Sequence, residues 1–113
     1  MSKVFIISDS GHDFSEAEKY GELVVLSKGT IGKYQITGMF RAFEEDLSAS
    51  SPEDCILISG PIVLNAIACS MFAYLHGRLN LLVWRMIDES KGKYIYRRLV
   101  LERLEKKKGE QDV

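Results

Sequence analysis

Cysteine, histidine, proline and tryptophan are all scarce in this chain, and each scarcity removes a class of protein. The two cysteines, Cys55 and Cys69, sit inside apolar runs. They read as reduced core residues rather than the framework of a secreted disulfide scaffold. The two histidines, His12 and His76, do not combine with these cysteines at any zinc-ligand spacing. We therefore expect no metal and no other cofactor. Excess charge is lacking too: 15 Lys and Arg against 16 Asp and Glu leave a net charge of −1. That balance excludes a supercharged nucleic-acid arm and makes duplex nucleic acid an unexpected partner. No apolar run reaches the roughly 20 residues of a membrane span. The longest, Ile62 to Leu75, is broken by Asn65 and Ser70. Val4 to Ile7 is too short for the apolar core of a secretion signal, so no membrane partner and a cytoplasmic location are expected.

What remains is a chain of 113 residues that is 46% hydrophobic and 27% charged. That size is one domain, able to bury roughly two thirds of the surface its unfolded chain exposes. We assign residues 1–100 to it and 101–113 to a charged C-terminal helix or tail. The charge is unevenly spread. Residues 1–54 hold five basic against ten acidic side chains, and residues 55–113 hold ten against six. The basic excess lies between Arg85 and Lys108, as a solvated face or as an attraction for an anionic ligand.

Strands and helices alternate along the chain. Lys3 to Ser8, Glu22 to Ser27, Cys55 to Ile58, Leu79 to Trp84 and Tyr94 to Val100 read as strands. Phe14 to Tyr20 has room for one or two helical turns, with Ser15 and Glu18 at capping-box spacing and Gly21 as the stop. Tyr34 to Ala49 is amphipathic, with Ile36, Met39, Phe40, Phe43 and Leu47 on one face. Ile62 to His76 is a second helix, with Pro61 suited to its first turn and Gly77 ending it. Asp88 to Lys93 reads as a hairpin turn.

Doubly apolar central strands joined through helices imply an α/β, three-layer Rossmann-like domain. Right-handed crossovers place the second and third strands on either side of the first. The expected sheet is mostly parallel, about five strands in order 2-1-3-4-5, with the last strand antiparallel. Its topological switch point lies between the first and third strands, where open α/β sheets bind ligands beyond the strand carboxyl ends.

Two loops meet there. In the first, Ser8, Asp9, Ser10 and Gly11 are candidate ligand contacts, and His12 is a candidate general acid or base. Asx and Ser turn chemistry with an exposed histidine is the competing explanation. In the second, Ser59 and Gly60 precede a helix N-terminus, a place suited to phosphate; an ordinary strand-to-helix turn capped by Ser59 competes. Asn65 either contacts a base or ribose or bonds neighbouring backbone. Gly29 to Lys33 lacks the Walker spacing, which excludes a P-loop NTPase but leaves Lys33 as a phosphate contact. Arg85 is a second candidate cation. His76 reads as a favourable C-terminal charge on its helix.

The stretch Ser59-Gly60-Pro61 through Ala68 and Phe72, then Leu75-His76-Gly77-Arg78-Leu79-Asn80-Leu81-Leu82-Val83, followed by the Tyr94 strand, resembles the small single-domain CRISPR-associated Rossmann-fold proteins, ring nucleases among them, including viral ones. The resemblance spans roughly residues 54–98. It implies binding of a cyclic oligoadenylate second messenger across a homodimer, with cleavage in some members, in CRISPR antiviral defence or in its evasion. Ring opening there needs no metal: a ribose 2′-hydroxyl attacks the adjacent phosphate in line. His12 is then the catalytic candidate, with Gly60 backbone and Lys33 or Arg85 stabilising charge. Two alternatives stay open. One is a non-catalytic nucleotide-binding or sequestering module; the other is a viral structural or regulatory dimer. Independently of the resemblance, the helix of residues 62–75 is apolar nearly all round, so a homodimer through it is expected.

Overall fold

The structure is a computed structural model that describes residues 2–9, 11–27 and 35–101. The expectations for Ser10, for the Gly29–Lys33 loop with Lys33, and for the tail beyond Leu101 lie outside the described residues. In chain order the elements are β1 (Lys3–Ser8), a 3-10 helix (Ser15–Tyr20), β2 (Glu22–Ser27), α1 (Ile36–Ser48), β3 (Cys55–Leu57), α2 (Ile62–His76), β4 (Arg78–Met86) and β5 (Gly92–Val100). They form one α/β, Rossmann-like sheet in the order β2-β1-β3-β4-β5. All pairings are parallel except β4 with β5.

Strand alternation sorts the core into two layers. Phe5 and Ile7 of β1 point to the face covered by both α-helices, where they pack with Ile56, Met39, Phe43, Leu47, Leu64, Ala68 and Phe72. Val4 and Ile6 point to the other face, with Leu57, Leu82, Tyr94, Phe14 and Ala17. Among the described residues only the 3-10 helix covers that face. This asymmetry follows from handedness. The chain moves one way from β1 to β2 and the other way from β2 to β3 and from β3 to β4, so the first crossover lies on the opposite face from the other two.

Several boundaries differ from the sequence expectation. Ser15 does not cap the short helix: Phe14 holds that position without a side-chain cap, while Asp13 Oδ1 accepts the Ser15 N–H at 2.9 Å. Gly21 ends the helix as expected, and the position requires glycine because a Cβ there would run into the Ser2 carbonyl. α1 begins two residues later than its periodicity suggests, and Ile36 and Phe40 are exposed rather than buried. They line an open apolar groove of about 620 Å³ between α1 and α2, with Met71, Tyr74 and Leu75 opposite. Pro61 sits at the N-cap of α2, just before the first turn.

A polar lock holds the amino end of the sheet. Asn80 is fully buried and donates to the carbonyls of Pro52 and Asp54, both at 2.7 Å. The buried Asp54 carboxylate accepts the N–H groups of Lys3 and Ser51, each at 2.8 Å. His76 lies in the last turn of α2 as expected, and in addition its Nε2 lies 2.8 Å from Ser50 Oγ, tying the helix end to the loop after α1. Among the described residues no helix is long and apolar enough to cross a membrane.

β4 and β5 are longer than the sequence implies. They pair from Arg78↔Val100 to Met86↔Gly92, whereas β3 pairs only Ile56 and Leu57 with Leu81 and Leu82. The tip of this hairpin therefore runs past the carboxyl ends of the parallel strands.

Candidate functional site

β1 and β3 lie side by side and in register, so the loops that follow them emerge together at the switch point. Between these loops and the hairpin tip is a pocket of about 400 Å³, lined by His12, Asp13, Phe14, Ile58, Ser59, Gly60, Trp84 and Tyr94. Its size falls in the range of small-ligand sites.

The floor is built by close loop packing. Gly60 has φ +74, and a Cβ there would lie 2.8 Å from Ser8 Cβ. The glycine is thus required by the contact between the two loops, whatever binds beside it. Ser59 Oγ donates to the Ser8 carbonyl at 3.4 Å, and no side chain caps α2. Asn65 is buried and spends its carboxamide on backbone. Its Oδ1 accepts the Ser59 N–H at 3.1 Å, and its Nδ2 donates to the carbonyls of Ser59 at 2.8 Å and Pro61 at 2.7 Å. Of the two roles open to Asn65, bonding neighbouring backbone is the one seen in this geometry.

In the first loop, the carboxylates flanking His12 are also engaged locally. Asp9 Oδ1 accepts the Gly11 N–H at 3.1 Å, and Asp13 serves Ser15 as described. The Ser15 backbone bond to Asp13 holds that carboxyl below its ordinary range, so Asp13 is an anion at the pocket rim. His12 is exposed and meets Phe14 edge to face, with ring centroids 6.3 Å apart.

The hairpin supplies the aromatic wall. Trp84 and Tyr94 are cross-strand partners whose rings meet at 4.9 Å and 67°. The indole rests on Gly92, where any Cβ would collide with it. Trp84 Nε1 reaches Met86 Sδ at 3.2 Å. Tyr94 is anchored through its backbone: its N–H donates to Glu16 Oε2 at 2.9 Å, and its carbonyl accepts from Tyr20 Oη at 3.1 Å.

Of the candidates read from sequence, His12, Ser59 and Gly60 line this pocket. Ser8 and Asn65 support its floor, and Asp9 and Gly11 shape the adjoining loop. Arg85 is not brought to it. Strand alternation turns Arg85 to the helix-bearing face, opposite Lys93 and away from the Trp84 side. Sequence reading missed Phe14, Trp84 and Tyr94. The available signal was the single tryptophan at the end of a strand entering a hairpin, on the same face as Leu82.

The thiols stand apart from this chemistry. Cys55 is buried and Cys69 partly so, and neither is in a disulfide. Desolvation, with the Asp54 charge adding, pushes the Cys55 thiol up to about 12, and burial raises Cys69 as well. Among the described residues no group of three His, Cys, Asp or Glu side chains is placed to hold a metal ion.

Fold and pocket together define a small Rossmann-like α/β domain with an aromatic-walled cleft at its topological switch point. The family model of the phage Pam3 gp32-like protein matches residues 2–99, and the chain belongs to that family. No curated protein and no solved structure matches it.

Proposed function

We propose that this protein is a nucleotide-binding module that takes its ligand in the switch-point pocket and works as a homodimer. The observation that carries this is the meeting of the β1 and β3 loops with an aromatic wall around about 400 Å³ of open space. The free N–H groups at the start of α2 favour an anionic group beside Ser59 and Gly60. A homodimer gains support from α2, whose outward side chains Ile62 and Tyr74 are 86% and 90% exposed. Ile62 is two residues from Gly60, so a two-fold contact through α2 would lie beside the Ser59–Gly60 loop. A cyclic oligoadenylate spanning both is the ligand that the sequence resemblance suggests. Membership of a phage family is compatible with action against host nucleotide signalling.

Cleavage of that ligand is the second reading, and the placement of His12 on the pocket wall favours it. In that case His12 moves the proton of the attacking 2′-hydroxyl or of the leaving 5′-oxygen, and α2 backbone N–H groups stabilise the phosphorane charge. Incubation with cyclic tri-, tetra- and hexa-adenylate, followed by denaturation and chromatography, separates the cases. Intact ligand carried through gel filtration supports the binding module. Linear products support cleavage. Failure to retain or convert any of them removes cyclic oligoadenylate from the proposal and leaves the dimeric scaffold.

A further inference from the structure

Tyr94 holds its ring in the core and presents its hydroxyl to the pocket. The residue is only 6% exposed, yet among the described residues its hydroxyl makes no hydrogen bond, while its backbone groups are both paired. The hydroxyl is not sealed in, because no fully buried side-chain oxygen among the described residues lacks a partner, and Tyr94 lines the switch-point pocket. Burial, with the Glu16 and Asp13 charges adding, raises its pKa, which keeps the hydroxyl protonated and able to donate. Beside it, Trp84 is 45% exposed, and its indole is laid on Gly92 and braced against the Tyr94 ring. A flat ring held from behind and open in front is a stacking surface. The Asp13 carboxylate, close enough for its charge to act on Tyr94, disfavours a phosphate beside that ring.

We infer that the hairpin wall of the pocket is a nucleobase subsite, in which Trp84 stacks on the base and the Tyr94 hydroxyl donates to a ring nitrogen or carbonyl. The assignment rests on the nucleotide-binding reading of the same pocket and adds which part of the ligand sits where. The base lies against the hairpin, and the phosphate lies at the start of α2.

Trp84 is the only tryptophan in the chain, so its emission reports on this wall directly. The probes are the four common ribonucleoside monophosphates, with ribose 5-phosphate as the base-free control, and binding is measured in parallel by equilibrium dialysis. At least one monophosphate should bind and quench Trp84 emission, while ribose 5-phosphate should bind at least fivefold more weakly and leave emission unchanged. Tyr94→Phe, which keeps the buried ring, should weaken that monophosphate by about 2–15-fold with an unchanged thermal midpoint. Trp84→Leu should weaken it by about 5–150-fold. Equal binding of ribose 5-phosphate and monophosphates, or full affinity in Tyr94→Phe and Trp84→Leu, overturns the base subsite and leaves the pocket as a phosphate site. Binding of no probe by dialysis overturns the subsite and the nucleotide reading together.

Discussion

Glu16 accepts the backbone N–H of Tyr94 at 2.9 Å across 78 positions of chain. β5 is an edge strand, and Tyr94 opposes Trp84 in a pair whose side chains touch, so the Tyr94 backbone groups face outward. Left bare, such groups invite pairing with another chain. Glu16 covers the N–H, and Tyr20 covers the carbonyl. The 3-10 helix thereby fixes the hairpin tip over the pocket.

That contact makes the hairpin acid-sensitive. The hydrogen bonds from Lys19 and the Tyr94 N–H hold the Glu16 carboxyl below its ordinary range. A depressed carboxylate stabilises the fold above its unfolded pKa of about 4.5, and the stabilisation is lost as pH falls through the lower folded value. The thermal midpoint should drop below pH 4.5, and Glu16→Gln should show a shallower drop. Because the Lys19 pair is solvent-exposed, its share should fade in high salt. A Glu16→Gln variant with the same acid profile as the wild type contradicts this assignment.

Asn65→Ala removes the clamp on the β3–α2 loop. The Ser59 N–H and the Ser59 and Gly60 carbonyls lose this partner, while the Pro61 carbonyl keeps the Asn65 backbone N–H, so unfolding free energy should fall by about 1–3 kcal/mol. Nucleotide affinity should fall as well, through loosening of the Ser59–Gly60 floor. Asn65→Asp keeps the acceptor but faces carbonyls with a charge, and it should be the worse of the two in denaturant titration.

Gly60→Ala should destabilise by more than the roughly 1 kcal/mol of a permissive glycine position. Positive φ and the approach of Ser8 both oppose the added methyl. The comparison variant is Ser8→Gly in the Gly60→Ala background. It relieves the contact but not the backbone strain, so it should recover only part of the loss in thermal melts.

For the homodimer, Ile62→Glu and Tyr74→Glu are the informative changes. Both side chains are exposed in the single chain, whereas Met71 is partly buried against the core, and a charge there would test folding instead. Sedimentation equilibrium at micromolar concentration should show a dimer for the wild type and monomers for the two variants, with circular dichroism unchanged. A monomeric wild type removes the two-fold arrangement.

Turnover, if linear products form, should depend on His12. His12→Ala should slow product formation by about 10²–10⁴-fold, the range for one acid–base group, with ligand affinity changed far less. His76→Ala is the control: His76 sits with Ser50 at the other end of α2, so its loss should leave the rate alone. An undiminished rate in His12→Ala moves the chemistry to the backbone N–H groups at the start of α2.

The strand order, the parallel core and the convergence of two loops were legible in the sequence because they follow from local periodicity and the handedness of crossovers. Lys3–Ser8 and Cys55–Leu57 are apolar on both faces, and such strands belong in the middle of a covered parallel sheet. That His12, Ser59 and Gly60 come together at one pocket was legible for the same reason, since each follows a strand that ends at the switch point. Other features depend on partners far away in the chain. The backbone bonds of Asn65 depend on the turn of Ser59 to Pro61 around its carboxamide. The separation of Arg85 from Trp84 was set by strand register, because a one-residue step changes the face of the sheet. The aromatic wall needed the hairpin to outrun β3 and the 3-10 helix to hold Tyr94 in place. Periodicity determines which side chains can share a face; only the packed chain decides how far a strand extends and what it meets there.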